Sequence, residues 1–344
     1  MASSSFPRPS IRIIAELAGV SHATVSLALK QHPRISEATR QRIAIIAKEI
    51  GYSPNAELSQ VMHATRKRRP DKPVIALVTG GATPSPWETQ IFMKRFYEAV
   101  MERADELGYQ IEEFWVNAPG MNAKRLSQIF RARNTSGLIV PPLFPCLGKR
   151  LPFSVEGLAV AVCGRVFWKP ELHRAQADHL FNTMLALKEL RKLGYQRIGI
   201  ATFYGEEAIH GHEIGSAYAY YHNRNLLETF IPPFHAENGD TETFWKWFEA
   251  FQPDAVLSTD PTIVDQFRAR GIRVPEDVGL AGLGVIPELG DIAGIDINAT
   301  AADRALVDIV VTQIVNHEHG VPKIPHATTF EGFWQAGGTV RKQR

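Results

Sequence analysis

The densest group of side chains able to recognise another molecule lies near the start of the chain, in the stretch VSHATVSLALKQHPRIS at residues 20–36. Ser21, Thr24 and Ser26 place three hydroxyls within two helical turns. Each hydroxyl both donates and accepts, which suits phosphate oxygens or base edges. His22 can donate to or accept from a base edge. Ala23 offers only apolar contact, for example with a thymine methyl, and Leu27 is likewise apolar. Arg34 follows closely, and Arg8, Arg12, Arg40 and Arg42 surround the stretch. Arginines so placed set register and salt dependence through phosphates rather than reading sequence. The plainer alternative is a packed core helix, and three hydroxyl residues in two turns argue against it.

Other chemistry finds little support. His210 and His212 in HGHE stand at i, i+2 on a glycine loop. No third ligand can be assigned to them, so no metal is expected. Cys146 and Cys163 are the only cysteines, too few for a disulfide framework and at a spacing that fits no zinc site. The sequence contains no G-x-G-x-x-G at its Gly-rich TGGATP stretch, no G-x-x-x-x-G-K-[ST] and no G-x-S-x-G. No catalytic residue is assigned, and no cofactor is expected.

Elements must hold the polar group in place. Ser10 can cap a first helix over residues 11–18, where Ile13, Ile14, Leu17 and Ala18 form an apolar stripe. Gly19 and Val20 make a turn. Ser21 can cap a second helix over 22–30, and Pro33 breaks it. Ser36 caps a third helix running to residue 50, with Ile43, Ile46, Ala47 and Ile50 facing inward and Gly51 stopping it. Two helices joined by a glycine turn and braced by a third are a helix-turn-helix domain. Charge agrees: residues 1–72 carry 12 Lys/Arg and 5 Asp/Glu, a net +7, while the other 272 residues carry a net −5. A basic head on an acidic body points to a polyanionic partner for the head alone.

The texture changes after the basic run at 66–69. Strands are expected at 74–78, 110–116, 137–140, 158–163, 197–201, 255–258 and 278–281. Helices are expected at 92–107, 123–133, 181–193, 215–223, 261–270 and 302–316. Strict alternation of strand and helix means parallel sheet, here in two Rossmann-like halves. The matching junctions ELGYQIE and KLGYQRIGIA support two similar halves. No apolar run is long enough to span a membrane, and residues 1–10 lack a secretory apolar segment, so a cytoplasmic protein is expected.

The runs IAELAGVSHATVSLAL, ISEATRQRI and IGYSPNAELSQVM resemble the lactose/galactose repressor (LacI/GalR) family of transcription regulators. Further along, GYQRIGIA, PDAVLSTD, RARGIRVPEDVGLAGLG and GGTVR stand in that family's order. The resemblance implies a homodimer or a dimer of dimers on double-stranded operator DNA, and the absence of a leucine heptad at residues 337–344 favours the dimer. It also implies a two-lobed core of the periplasmic-binding-protein kind (type I), crossed three times by the chain, with a small effector, a carbohydrate in many members, between the lobes. The implied domains are 1–53 for DNA binding, 54–72 for a hinge helix and linker, and 73–344 for the core. Lobe 1 would span about 73–172 and 298–322, and lobe 2 about 173–297 and 323–344.

By the same resemblance, His22 and Ala23 hold the two positions that choose sequence. Leu27 departs from an Arg that reads guanine in most members, which implies altered sequence preference. Residues 54–62 resemble the hinge helix, with Asn55 and Ala56 approaching the minor groove. Val61 stands where the family has its wedging Leu, with Met62 beside it. So short a helix forms only when paired over DNA.

Ligands of open α/β lobes sit at the carboxyl ends of strands, which nominates Thr79, Trp87, His212, Glu213, Thr259 and Asp260 for the effector. Trp87 could stack on a flat ligand or be a buried core residue. Many sugar-binding members place an Arg where Glu213 stands, an Asp at Gly284 and a Gln near Ile297. The groups that grip sugar hydroxyls are thus missing here. Two other readings compete with a ligand-modulated regulator: a cytosolic α/β enzyme with a DNA-binding appendage, and a regulator controlled by a protein partner.

Overall fold

The computed structural model describes residues 11–29, 32, 34–50, 72–81, 83–142, 151, 153–164, 170–203, 212–224, 229–236 and 241–343, apart from the side chains of Ile11, Arg12, Ala23 and Ser26. Contacts divide the chain into two units between residues 71 and 72.

The first unit holds helices α1 (Ile11–Ala18), α2 (His22–Leu29) and α3 (Glu37–Glu49). Gly19 takes a positive φ of 63°, so α1 can end and turn at once into α2. The backbone N–H of Val20 donates to Ala15 O at 3.1 Å and closes the turn. Ser36 caps α3 by accepting from Thr39 N. Ile14, Ala15, Ala18, Val25, Ala28, Ile43 and Ala47 are buried together, one stripe from each helix. This small core is what fixes α2.

The second unit contains two six-stranded sheets. The first runs in the order β11-β5-β4-β3-β1-β2, built from β1 (Val74–Thr79), β2 (Gln110–Trp115), β3 (Thr135–Val140), β4 (Ala159–Cys163), β5 (His173–Ala177) and β11 (Ala327–Phe330). The second runs β12-β10-β9-β8-β6-β7, built from β6 (Ile198–Thr202), β7 (Phe234–His235), β8 (Ala255–Ser258), β9 (Gly279–Leu283), β10 (Gly294–Asp296) and β12 (Phe333–Gln335). All described pairings are parallel except β10 with β12. Central strands such as β1, β6 and β8 are buried along their whole length, as strands covered on both faces must be.

Helices α4 (Ile91–Glu106), α5 (Ala123–Ala132) and α10 (Ala299–Asn316) accompany the first sheet, and α6 (His179–Lys192), α7 (Glu213–Asn223), α8 (Thr241–Phe251) and α9 (Ile263–Ala269) the second. Gly137 on β3 lets α10 lie close, because a Cβ there would overlap Val310. An aromatic cluster that includes Phe203, Phe234, Phe244, Trp245 and Phe267 packs α8 and α9 against the second sheet.

The chain passes between the sheets three times: from β5 to α6, from β10 to α10, and from β11 to β12. Strands β5 and β11 both pair within the first sheet, so these passages fall near residues 178, 297–298 and 331–332. The lobe boundaries expected at 172–173 and 322–323 are corrected accordingly. Each crossing is tied down. Asp178 accepts from Phe181 N at 2.8 Å and caps α6. Asp296 accepts from Asn298 N at 2.8 Å, and Asn182 accepts from Gly332 N at 2.8 Å.

Candidate nucleic-acid interface and interlobe cleft

Helix α2 buries Val25 and Ala28 and exposes its N-terminal end. Ser21 and His22 are exposed there, and Thr24 and Leu27 are half-buried beside them. Ser21 Oγ accepts from Thr24 N at 3.1 Å and lies 2.9 Å from Thr24 Oγ1. The cap that starts the helix therefore also aligns the two hydroxyls. The arrangement presents an imidazole and a pair of hydroxyls at the tip of a helix of groove-fitting diameter. Beyond it the side chain of Arg34 is exposed.

Two of the basic residues have local partners. Arg40 reaches Glu37 at 2.6 Å. The Arg42 guanidinium donates to Ala18 O at 3.1 Å, at the carboxyl end of α1, where a cation meets the unpaired carbonyls. The side chains of Ala23 and Ser26, and all of Asn55, Ala56, Val61 and Met62, lie outside the described residues.

The described contacts of the six residues nominated for an effector are mostly with their own surroundings. Thr79, at the end of β1, is buried and its hydroxyl donates to Pro84 O at 3.0 Å. Trp87 is buried in the first lobe's core and stacks on Tyr97, with ring centroids 4.5 Å apart and planes 18° apart. One face of its ring is thus taken up by Tyr97. Thr259 accepts from Phe203 N at 3.2 Å, and Asp260 accepts from both the N–H and the hydroxyl of Thr262. Thr259 thereby ties the end of β8 to the end of β6, and Asp260 is taken up in the turn that leads from β8 to α9. His212 is exposed with a φ of 61° at the head of α7, and Glu213 is half-buried next to it.

A different set lines the cavity between the lobes, which measures about 170 Å³. The first lobe and its flanking helices contribute Phe96, Pro142, Cys163, Gln176 and Asp303, and the second contributes Gly284, Val285 and Ile286. None of the six nominated residues is among its lining. Gly284 and Ile297 do line it, two of the three positions where sugar-gripping side chains are missing. The cavity sits at the carboxyl ends of β4, β5, β9 and β10, the expected place for a ligand in open α/β lobes.

Electrostatics in this cavity are unusual. Burial pushes the Asp303 carboxyl up to about 7, and the charge of Arg95 only partly opposes it. Burial holds the His179 imidazole down at about 4, so it is neutral at physiological pH. Burial also raises the Cys163 thiol well above its ordinary range, reinforced by Asp303, which leaves it a neutral thiol.

Comparison with known proteins agrees with this architecture. The family model described as "Bacterial regulatory proteins, lacI family" matches residues 10–55. The repressor CytR of Escherichia coli strain K12 is 26% identical over 288 residues, 78% of each chain. The lactose operon repressor of the same organism is 26% identical over 288 residues, covering 78% of this chain and 73% of its own. Among solved structures, a complex of the regulator CelR with cellobiose superposes with a TM-score of 0.61 at 19% identity, over 96% of this chain and all of the other. A lac repressor dimer bound to operator and the anti-inducer ONPF superposes with a TM-score of 0.57 at 17% identity, over 97% of this chain and all of the other. With two parallel-sheet lobes crossed three times by the chain, the protein carries a helix-turn-helix head that matches the lacI family model, and over most of its length it is similar to transcription regulators such as CytR and the lactose operon repressor.

Proposed function

We propose that this chain is a sequence-specific DNA-binding transcription regulator, a repressor, whose affinity for its operator is set by a small molecule held between the two lobes. The observation that carries the reading is the exposed polar tip of α2, with Ser21, His22 and Thr24 held on a three-helix core. A second copy of the chain supplies the other half of the interface, one recognition helix for each half of a pseudo-palindromic site. Residues 1–53 bind DNA, 54–72 form the hinge and linker, and 73–344 bind effector and pair the subunits. Within the hinge, Asn55 and Ala56 approach the minor groove, and Val61 with Met62 supplies the wedge.

The switch follows from population shift. An effector that binds one lobe arrangement better than the other changes the spacing of paired hinges, by no more than its differential affinity. The solved neighbours include a cellobiose complex and a lac repressor bound to ONPG, so a carbohydrate is the first ligand class to assay. An enzyme with a DNA-binding appendage finds no support in the similar proteins, which are regulators.

Deletion of residues 1–62 tests the division of labour. The truncated chain is expected to lose operator binding and to remain a folded dimer by sedimentation. Tight operator binding by the truncated chain would place DNA recognition elsewhere.

A further inference from the structure

Asp303 stands on α10 at the wall of the interlobe cavity, 6% exposed, and no donor among the described residues meets its carboxyl. Gln176, on β5, lines the same cavity at 5% exposure, and its Oε1 has no hydrogen-bond partner. Buried polar groups in native proteins are almost always paired. Two such groups on one cavity wall, without partners among the described residues, therefore mark a place where a ligand supplies them.

The charges around them decide what kind of ligand. Arg95 is the cation among the described lining residues, and its guanidinium is paired with Glu288 at 2.9 Å. His179 is neutral, and Cys163 is a neutral thiol. Asp296 adds a second carboxylate, which accepts from Asn298 N. Among the described lining residues, with Arg95 and Glu288 cancelling, two carboxylates remain. The rest of the lining is largely apolar, with Phe96, Pro142, Val285 and Ile297 among it. A sugar would leave most of its hydroxyls facing such walls unpaired. At about 170 Å³ the cavity is also below the ~300 Å³ where sites for drug-sized ligands begin.

We propose that the effector is a compact organic ammonium compound, with its charged nitrogen on Asp303, a second polar group on the Gln176 amide, and an apolar body against Phe96, Val285 and Ile297. This rests on the regulator reading and names the chemistry of its ligand. A cation brings Asp303 both the donor and the charge it lacks. Binding therefore favours the carboxylate and releases the proton that Asp303 holds part of the time near neutral pH.

The test uses the full chain, with benzylammonium, cyclohexylmethylammonium and 2-phenylethylammonium as probes, each beside the matching neutral alcohol. At least one ammonium probe is expected to raise Tm by several degrees at millimolar concentration, with its alcohol inert. Titration calorimetry in buffers of different ionisation heat should show proton release at pH 7. Asp303→Asn should weaken that probe at least tenfold and abolish the proton release, and Gln176→Leu should weaken it without abolishing the release. If no ammonium probe is preferred over its alcohol, or if Asp303→Asn binds the probe unchanged, the inference is overturned. A cellobiose response that survives Asp303→Asn would likewise overturn it while leaving the regulator reading in place. Loss of specific operator binding by the full chain would instead overturn the regulator reading, whatever the cavity binds.

Discussion

Arg95 on α4 donates to Glu288 across the cleft at 2.9 Å, joining a helix of the first lobe to the loop between β9 and β10 of the second. A bridge between lobes at the mouth of their shared cavity exists only in lobe arrangements that bring the two residues together. Both side chains are partly solvated, so the bridge contributes under about 1 kcal/mol to folding. Its larger effect is on the balance between lobe arrangements. Glu288→Gln should leave Tm nearly unchanged and shift the midpoint of the effector response in operator binding. An unshifted midpoint would show that the bridge has no part in the switch.

Asp303 makes stability depend on pH with a defined sign. Its carboxyl goes from an ordinary value of 3.8 to about 7 on folding. Between those values the folded chain keeps a proton that the unfolded chain has lost. Stability is therefore greatest at the acid end of that window and falls as pH rises towards 7, after which the full penalty is present. Asp303→Asn removes this slope. The variant should match the wild type near pH 4 and exceed it at pH 8, by as much as ~4 kcal/mol on a scale of 1.36 kcal/mol per unit. Denaturant unfolding at the two pH values measures the difference, and parallel pH profiles would contradict the burial argument.

Trp87 belongs to the core of the first lobe, stacked on Tyr97. Trp87→Ala should cost about 3–5 kcal/mol of stability. A folded fraction at low temperature should still bind effector with unaltered affinity. Weakened effector binding with little loss of stability would support the ligand-stacking role.

The tip of α2 separates folding from recognition. Ser21→Ala removes the cap on Thr24 N and should cost about 1 kcal/mol of stability. His22→Ala, at an exposed position, should change stability by less than about 0.5 kcal/mol. It should alter base preference at one operator position by about 1–3 kcal/mol. Arg34→Ala should weaken all sequences alike and reduce the salt slope by roughly 0.9. Equal losses on every sequence for His22→Ala would remove it from base readout.

The helical head was legible because each boundary carries its own local chemistry. Ser21 and Ser36 accept the first free N–H groups, and Gly19 supplies the positive φ. Long apolar strands were equally plain, since β1, β3 and β8 end within two residues of expectation. Elements without such signals escaped. Strand β5, HRAQA, has no apolar run and is recognised by its pairing with β4 and β11. Strand β10 is only three residues long. Helix α8 was not foreseen either, although Phe244, Trp245 and Trp247 face inward together.

The cleft was harder to read than the fold, because its polar groups come from distant elements. Asp303 did leave a trace. It lies on the same helical stripe as Leu306, Val307 and Val310, a carboxylate where the spacing demands an apolar residue. Gln176 left none, because its strand was not recognisable without its neighbours. The nominated Thr79, Thr259 and Asp260 do stand near strand ends, but the hydrogen bonds of Thr79 and Asp260 close turns, that of Thr259 ties the end of β8 to the end of β6, and none of the three lines the cavity.

Reading of a specific operator by the tip of α2 is measured by selection of bound fragments from the source genome, followed by footprinting at a stated salt concentration. A single pseudo-palindrome, with half-sites about one helical turn apart, is expected to be protected by the full chain. Salt-sensitive binding with no preferred sequence would contradict it.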